Sequence, residues 1–271
     1  MEINIQPCAL LLLVGADWRM TAVSANAAMI GGQRPADLIG QPLADLIGSK
    51  AIHSLRNRMS WLSKDESEVH DFGVEWGDIA LDVRASRERD RYLIEAELAT
   101  EPRLPDGIGM VRSMSDRLNG DKPLKLADQA MRQLCALTGF DRLGLTDFQG
   151  ETIVSAGRSD VKMPAGVDAK MKFPTILADV DAEPVAMVGE IGDAQMARAS
   201  FRAPGEGVRE RLAGSGLAAA MTLPLRIDGR QVAAVHAYHG SPRRCPAERR
   251  SVAHLFAERL VARMARQGWA P

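Results

Sequence analysis

The 271 residues carry 34 Lys and Arg against 35 Asp and Glu, a formal net charge of −1 that argues against broad nucleic-acid or membrane-surface binding. Apolar content of 46% and charged content of 25% are those of a globular chain with room for two domains. Cys8, Cys135 and Cys245 are odd in number and lack metal spacing, which argues against a disulfide framework and points to a reducing cytoplasm.

The apolar run at residues 9–14 predicts a buried strand. It is too short to span a bilayer and has no basic leader. Gly15, Ala16 and Asp17 turn the chain into a second strand at 20–23. Short helical pieces follow, each stopped by a glycine (Gly32, Gly40 and Gly48), and then a helix over 51–62. Three strands come next, at 69–76, 79–86 and 92–98; the middle one alternates at Ile79, Leu81, Val83 and Ala85. Residues 100–105 form a Pro-containing linker. Helices are predicted over 108–118 and 123–137, the second with Gly139 as its cap. Farther on, apolar runs at 217–227 and 231–238 flank Asp228-Gly229, a strong hairpin signal. Pro246 then opens a terminal helix with Val252, Phe256, Leu260 and Met264 at i+4 spacing. Ala253, Ala257, Val261 and Ala265 make a second stripe, and Gly268 ends the helix. The pattern is a mixed α/β (α+β) chain: a first domain over 1–100, a linker and interdomain helix over 101–122, and a second domain over 123–271.

Several phrases resemble phytochrome PAS and GAF domains. In order they are I-Q-P-C-A-L-L from Ile5, S-A-N-A-A from Ser24, T-G-F-D-R-L from Thr138, I-L-A-D-V-D-A-E-P-V from Ile176, and Y-H-G-S-P-R-R-C-P from Tyr238. The resemblance covers nearly the whole chain. It implies a PAS-like domain followed by a GAF domain, each an antiparallel sheet with flanking helices, and a signalling helix at the end of the second. It also implies that the segment before the first strand, with Ile5, passes through a loop at 188–201 to make a knot.

Family members attach a linear tetrapyrrole through a cysteine thiolate. Here no cysteine stands upstream of Ile5, and Gly207 holds the alternative position after Arg202-Ala203-Pro204. Val208 falls where the family has a pocket histidine, and Thr146, Ala169 and Arg211 replace aromatic pocket residues. Cys8 reads as a packing residue. The resemblance leaves Arg202, Asp160 and His239 as the polar contacts of a vestigial pocket, which would take biliverdin or haem without a covalent bond if it takes any cofactor. His236 and His239 point to opposite faces of a strand, so no shared metal is expected. No nucleotide-binding loop or nucleophile–base pair is present, and the chain reads as non-enzymatic with no output domain of its own. The expected mode of action is association, as a homodimer or with a signalling partner, through Val252, Phe256, Leu260, Val261 and Met264 of the terminal helix. Nucleic acid and membrane are not expected partners.

Overall fold

The computed structural model describes residues 3–62, 68–164 and 171–269. It divides into two compact units, one of residues 1–101 with 182–203, the other of residues 102–181 with 204–271. Residues 182–203 therefore fold with the first unit, although the sequence pattern places them in a continuous second domain.

The first unit is built on a seven-stranded sheet. Its strands are β1 (Asn4–Ile5), β2 (Ala9–Val14), β3 (Met20–Ser24), β4 (Glu68–Trp76), β5 (Ile79–Glu88), β6 (Arg91–Leu98) and β10 (Val185–Gly189). Their order is β1-β10-β3-β2-β6-β5-β4, with every pairing antiparallel. Strand β2 is buried along its whole length. Leu10, Leu12 and Val14 enter one core with Ile47, Ile52 and Leu55 from α3 (Leu43–Ile47) and α4 (Ser49–Met59). Leu11 and Leu13 point the other way and meet Ile5, Ala22, Leu93, Met196 and Ala199. An unbroken apolar run is what a strand covered on both faces requires.

The second cover is the excursion 182–203. Strand β1 pairs with β10 through Asn4 and Ala186, and through Ile5 and Val185. On its far side, Gln6 N donates to Phe201 O at 2.8 Å and Ala203 N donates to Asn4 O at 2.9 Å. Ile5 is fully buried between these flanks.

The second unit has a five-stranded sheet in the order β8-β7-β12-β11-β9. The strands are β7 (Arg142–Asp147), β8 (Thr152–Gly157), β9 (Thr175–Leu177), β11 (Ala219–Ile227) and β12 (Arg230–His239). Asp228 and Gly229 both adopt positive φ, 51° and 79°, as a two-residue D-G hairpin demands. Helices α6 (Pro123–Thr138) and α9 (Ala247–Arg266) pack on the sheet, and α5 (Gly107–Asp116) packs beside α9. Helix α6 starts at Pro123 and stops at Gly139, which caps it at φ 70°. Helix α8 (Glu206–Gly214) brings Leu212 into a smaller cluster described below.

Candidate functional site

The residues flagged by the sequence map onto the two units separately. In the second unit, alternation along β11 and β12 divides the sheet into two faces. Met221, Leu223, Leu225, Val235 and Ala237 are buried on one. The other carries Thr222, His236 and Tyr238, with Gly144 opposite His236 in the β7 register. This second face is where the family resemblance puts a chromophore pocket.

Its groups are occupied by one another. His236 is fully buried, with Nδ1 3.0 Å from Thr222 Oγ1 and Nε2 3.1 Å from Thr146 Oγ1. A neutral imidazole donates from one nitrogen and accepts at the other, and a hydroxyl serves either role. Thr146 thus meets a hydrogen-bonding need rather than merely replacing an aromatic ring. Met163 lies over Gly144, its sulfur only 2.6 Å from where a Cβ would stand. Tyr238 packs with Leu177, Val180, Leu212 and Leu217, joined by Val161 and Met163. Burial pushes the Tyr238 phenol well above its ordinary range, with Arg211 pulling weakly the other way.

Asp160 and His239 are linked through two residues that sequence reasoning left out. Arg158 grips Asp160 with two hydrogen bonds, Nε to Oδ1 at 3.2 Å and Nη2 to Oδ2 at 2.6 Å. That fork holds the Asp160 carboxyl below its usual range, on an exposed surface. Arg158 also reaches Asp141 at 3.5 Å, and Asp141 Oδ2 lies 3.6 Å from His239 Nδ1. Asp141 further accepts from Gly240 N at 2.9 Å. The same His239 nitrogen lies 3.0 Å from Ser241 N, from which it accepts in one tautomer, and 2.9 Å from Ser241 O, to which it donates in the other, and the ring meets Phe140 edge-on at 6.1 Å. Among the described residues His239 Nε2 has no hydrogen-bond partner. The phrase T-G-F-D-R-L contained Asp141 and Phe140, but only the fold brings them to His239.

Arg202 belongs to the first unit, where its backbone bridges to Ile5 and its side chain is exposed. Ala169 lies outside the described residues. Cys8 sits half-buried in the turn before β2. Cys135 donates to Ala156 O at 3.5 Å, and burial pushes its thiol up, which disfavours the nucleophilic thiolate. Cys245 is fully buried. Gly207, at the family's attachment position, opens α8 with free space around it. Neither described thiol of the second unit is therefore suited to form a thioether. No group of three or more His, Cys, Asp or Glu able to hold a metal occurs among the described residues. None of the described helices is long and apolar enough to cross a membrane.

The expected association stripe requires correction. Val252, Phe256, Leu260, Val261 and Met264 are all buried within the unit itself, as are Ala253 and Ala257. They pack toward the sheet, α6 and α5 because a 20-residue helix on a small domain must cover its core with its broadest apolar face. The exposed apolar residue of α9 is Leu255.

The PAS fold family matches residues 2–99. The photosensory core module of the Stigmatella aurantiaca phytochrome superposes with a TM-score of 0.80 at 20% identity, over 97% of this chain. This chain spans 58% of that module's length. The chromophore-binding domain of Stigmatella aurantiaca phytochrome P1 matches at TM-score 0.80 and 20% identity, covering 97% of both chains. The chromophore-binding domain of an unusual bacteriophytochrome from R. palustris matches at 0.79 and 21%, covering 98% of this chain and 95% of that one. Curated protein sequences give no match. Fold, motif order and the PAS match agree: the chain has the fold of bacteriophytochrome chromophore-binding domains, and residues 2–99 match the PAS fold.

Proposed function

We propose that this module is a non-enzymatic sensory or regulatory protein that has given up covalent bilin attachment and acts by binding other proteins. The observation that carries this reading is the closed sheet face of the second unit. Met163 lies on Gly144, and His236 is satisfied by two threonines. A planar tetrapyrrole needs an apolar slot with a few polar groups left over for it. Here Asp160 is engaged by Arg158, and the two thiols described in this unit are buried or disfavoured as nucleophiles.

The test is an absorption spectrum of the full chain purified after incubation with biliverdin and, separately, with haemin. A blank visible region after gel filtration is expected. A stoichiometric bound band would reject the reading.

A second reading, a receptor that holds a bilin or haem without a covalent bond, draws on His239. Its Nε2 has no partner among the described residues, and Nδ1 lies 2.9 Å from Ser241 O; in the tautomer that donates from Nδ1 to that carbonyl, the Nε2 lone pair faces a ligand. On that reading the band appears, survives gel filtration, disappears on acid denaturation, and is lost in His239→Ala.

A further inference from the structure

We infer that the first unit binds a small zwitterion, of the class of a free amino acid, in a cleft at the turn between β5 and β6. This goes beyond the proposed function and does not rest on it, since every lining residue belongs to the first unit. The cleft encloses about 540 Å³, room for an amino acid with its side chain. One wall is the turn 88–91, where Arg89 adopts a left-handed φ of 55°. The other comes from residues 189–195 of the excursion. There Ile191 packs against the core of Leu11, Leu13 and Met196 and gives the lining its apolar part.

Glu88 anchors the site. Alternation along β5 puts Arg84, Ser86 and Glu88 on the face that the excursion covers. Ser86 Oγ and Glu88 Oε2 are both buried with no hydrogen-bond partner among the described residues. A buried carboxylate oxygen costs free energy unless a donor reaches it. Arg91 stands directly opposite Glu88 in the β5–β6 register, where unlike charges ordinarily pair across strands. Among the described residues these two make no ion pair. Arg91 Nη1 instead reaches Glu190 O at a long 3.5 Å. Gln195 Oε1 accepts from Gly192 N at 3.0 Å, which leaves its amide NH2 to donate elsewhere. A negative and a positive group thus face one cleft, held apart rather than joined.

That separation names the ligand. An ammonium brings the donors that Glu88 Oε2 lacks, and a carboxylate takes the fork of the Arg91 guanidinium. A simple cation would answer Glu88 and be repelled by Arg89 and Arg91. A simple anion would answer the guanidinium groups and meet Glu88 and Glu190. A molecule that carries both signs satisfies both, and each mismatch rejects a competitor. A divalent metal has no ligand set here, because no group of three or more His, Cys, Asp or Glu gathers among the described residues.

The test titrates the full chain with the common free L-amino acids, each beside its N-acetyl and its amide form, by calorimetry and by backbone amide NMR. At least one free amino acid is expected to bind one-to-one and to shift the amides of residues 88–91 and 189–192. Its N-acetyl form lacks the ammonium and its amide form lacks the carboxylate, so each is expected to bind about tenfold more weakly. Glu88→Gln and Arg91→Gln are expected to weaken the free amino acid by about the same factor. Glu88→Met removes the unpartnered oxygen and is expected to melt no lower than the native chain while losing the ligand. A lower melt would show the carboxylate to be employed in the fold and would overturn the proposal. So would no binding at about 10 mM amino acid, equal binding of the blocked forms, or shifts confined to other residues. Calcium or manganese that binds where the amino acids do not, and is lost in Glu88→Gln, would make the cleft a cation site and overturn it too. The tetrapyrrole spectrum reads the second unit and these titrations the first, so each reading can fail alone.

Discussion

Removing the carboxylate of Glu95 is expected to loosen the excursion 182–203 from the first unit's sheet. Arg84 and Glu95 face each other across β5 and β6 at 9% and 1% side-chain exposure, joined by a direct ion pair. Arg84 also bonds Glu68, through Nε at 2.8 Å and Nη2 at 2.5 Å, and donates to Arg198 O at 3.0 Å. Glu95 accepts from Phe201 N at 3.1 Å. The pair thus touches the excursion at the backbone of Arg198, Ser200 and Phe201. Glu95→Ala leaves a buried guanidinium short of one partner and takes an acceptor from the Phe201 N–H. Breaking a buried pair costs about 3–5 kcal/mol, and the lost backbone bond is part of that total rather than an addition to it. Replacing both charges with apolar groups, as in Arg84→Met/Glu95→Leu, is expected to recover only part of that cost, because it removes the buried pair but leaves the Glu68 carboxylate without its guanidinium. Urea unfolding followed by tryptophan fluorescence suits the measurement, since Trp18, Trp61 and Trp76 lie in the first unit and Trp269 in the second. Hydrogen exchange of residues 199–203 reports the excursion itself. A Glu95→Ala protein within about 1 kcal/mol of the native chain, with unchanged exchange at Phe201, would refute the reasoning.

Other predictions concern pH, backbone and core. Burial alone would raise the Glu68 carboxyl, but Arg84 and His70 overcome it and hold the group well below its ordinary 4.5. Its stabilising effect is therefore present above pH 4.5 and lost as pH falls below that value toward the depressed one; acid titration of Glu68→Gln is expected to show a shallower loss in this range, and an unchanged curve would count against it. Glu95, raised chiefly by burial, works in the opposite sense, so Glu95→Gln is expected to steepen the acid loss. Gly157→Ala is expected to destabilise the second unit by about 3 kcal/mol or more, because Gly157 sits at φ 110° with its missing Cβ against the Asp141 backbone and 2.9 Å from Arg142 Cα; a thermal melt near the native one contradicts that. Leu260→Ala should cost about 2–5 kcal/mol by chemical denaturation, and Leu255→Ala under about 0.5; equal costs would show that α9 is not packed as described.

Much of the architecture was legible because local signals agreed with the fold. The glycine stops, Pro123, Pro246 and the Asp228-Gly229 turn each impose a backbone geometry that tertiary packing did not override. The run Ala9–Val14 announced burial on both faces but not what supplies the second cover, since Met196 and Ala199 lie nearly two hundred residues away. Periodicity on α9 identified the apolar face correctly and misassigned its use. An i+4 stripe is the same whether it faces its own sheet or a partner, and only the position of α5 and α6 decides. The candidate site was partly readable in the same way. His239 and Asp160 could be picked by resemblance, whereas Arg158 and Asp141 carry no periodic or motif signal for the contact that links them. Thr146 looked like a lost aromatic and is instead half of the cradle of His236.

The excursion also sets an order of events during synthesis. Strands β2 to β6 are complete when residue 98 has emerged, yet Leu11, Leu13, Ala22 and Leu93 remain bare until residues 185–203 arrive. At about 5–20 residues per second, that leaves an apolar sheet face and an open β3 edge uncovered for roughly 5–20 seconds on the ribosome. Such an edge templates pairing with other chains. A nascent first domain therefore depends on chaperone cover, or on delay in its own collapse, until its neighbour's sequence has been translated. Dividing the gene at the apparent domain boundary near residue 100 would yield a fragment prone to aggregation rather than an independent PAS domain.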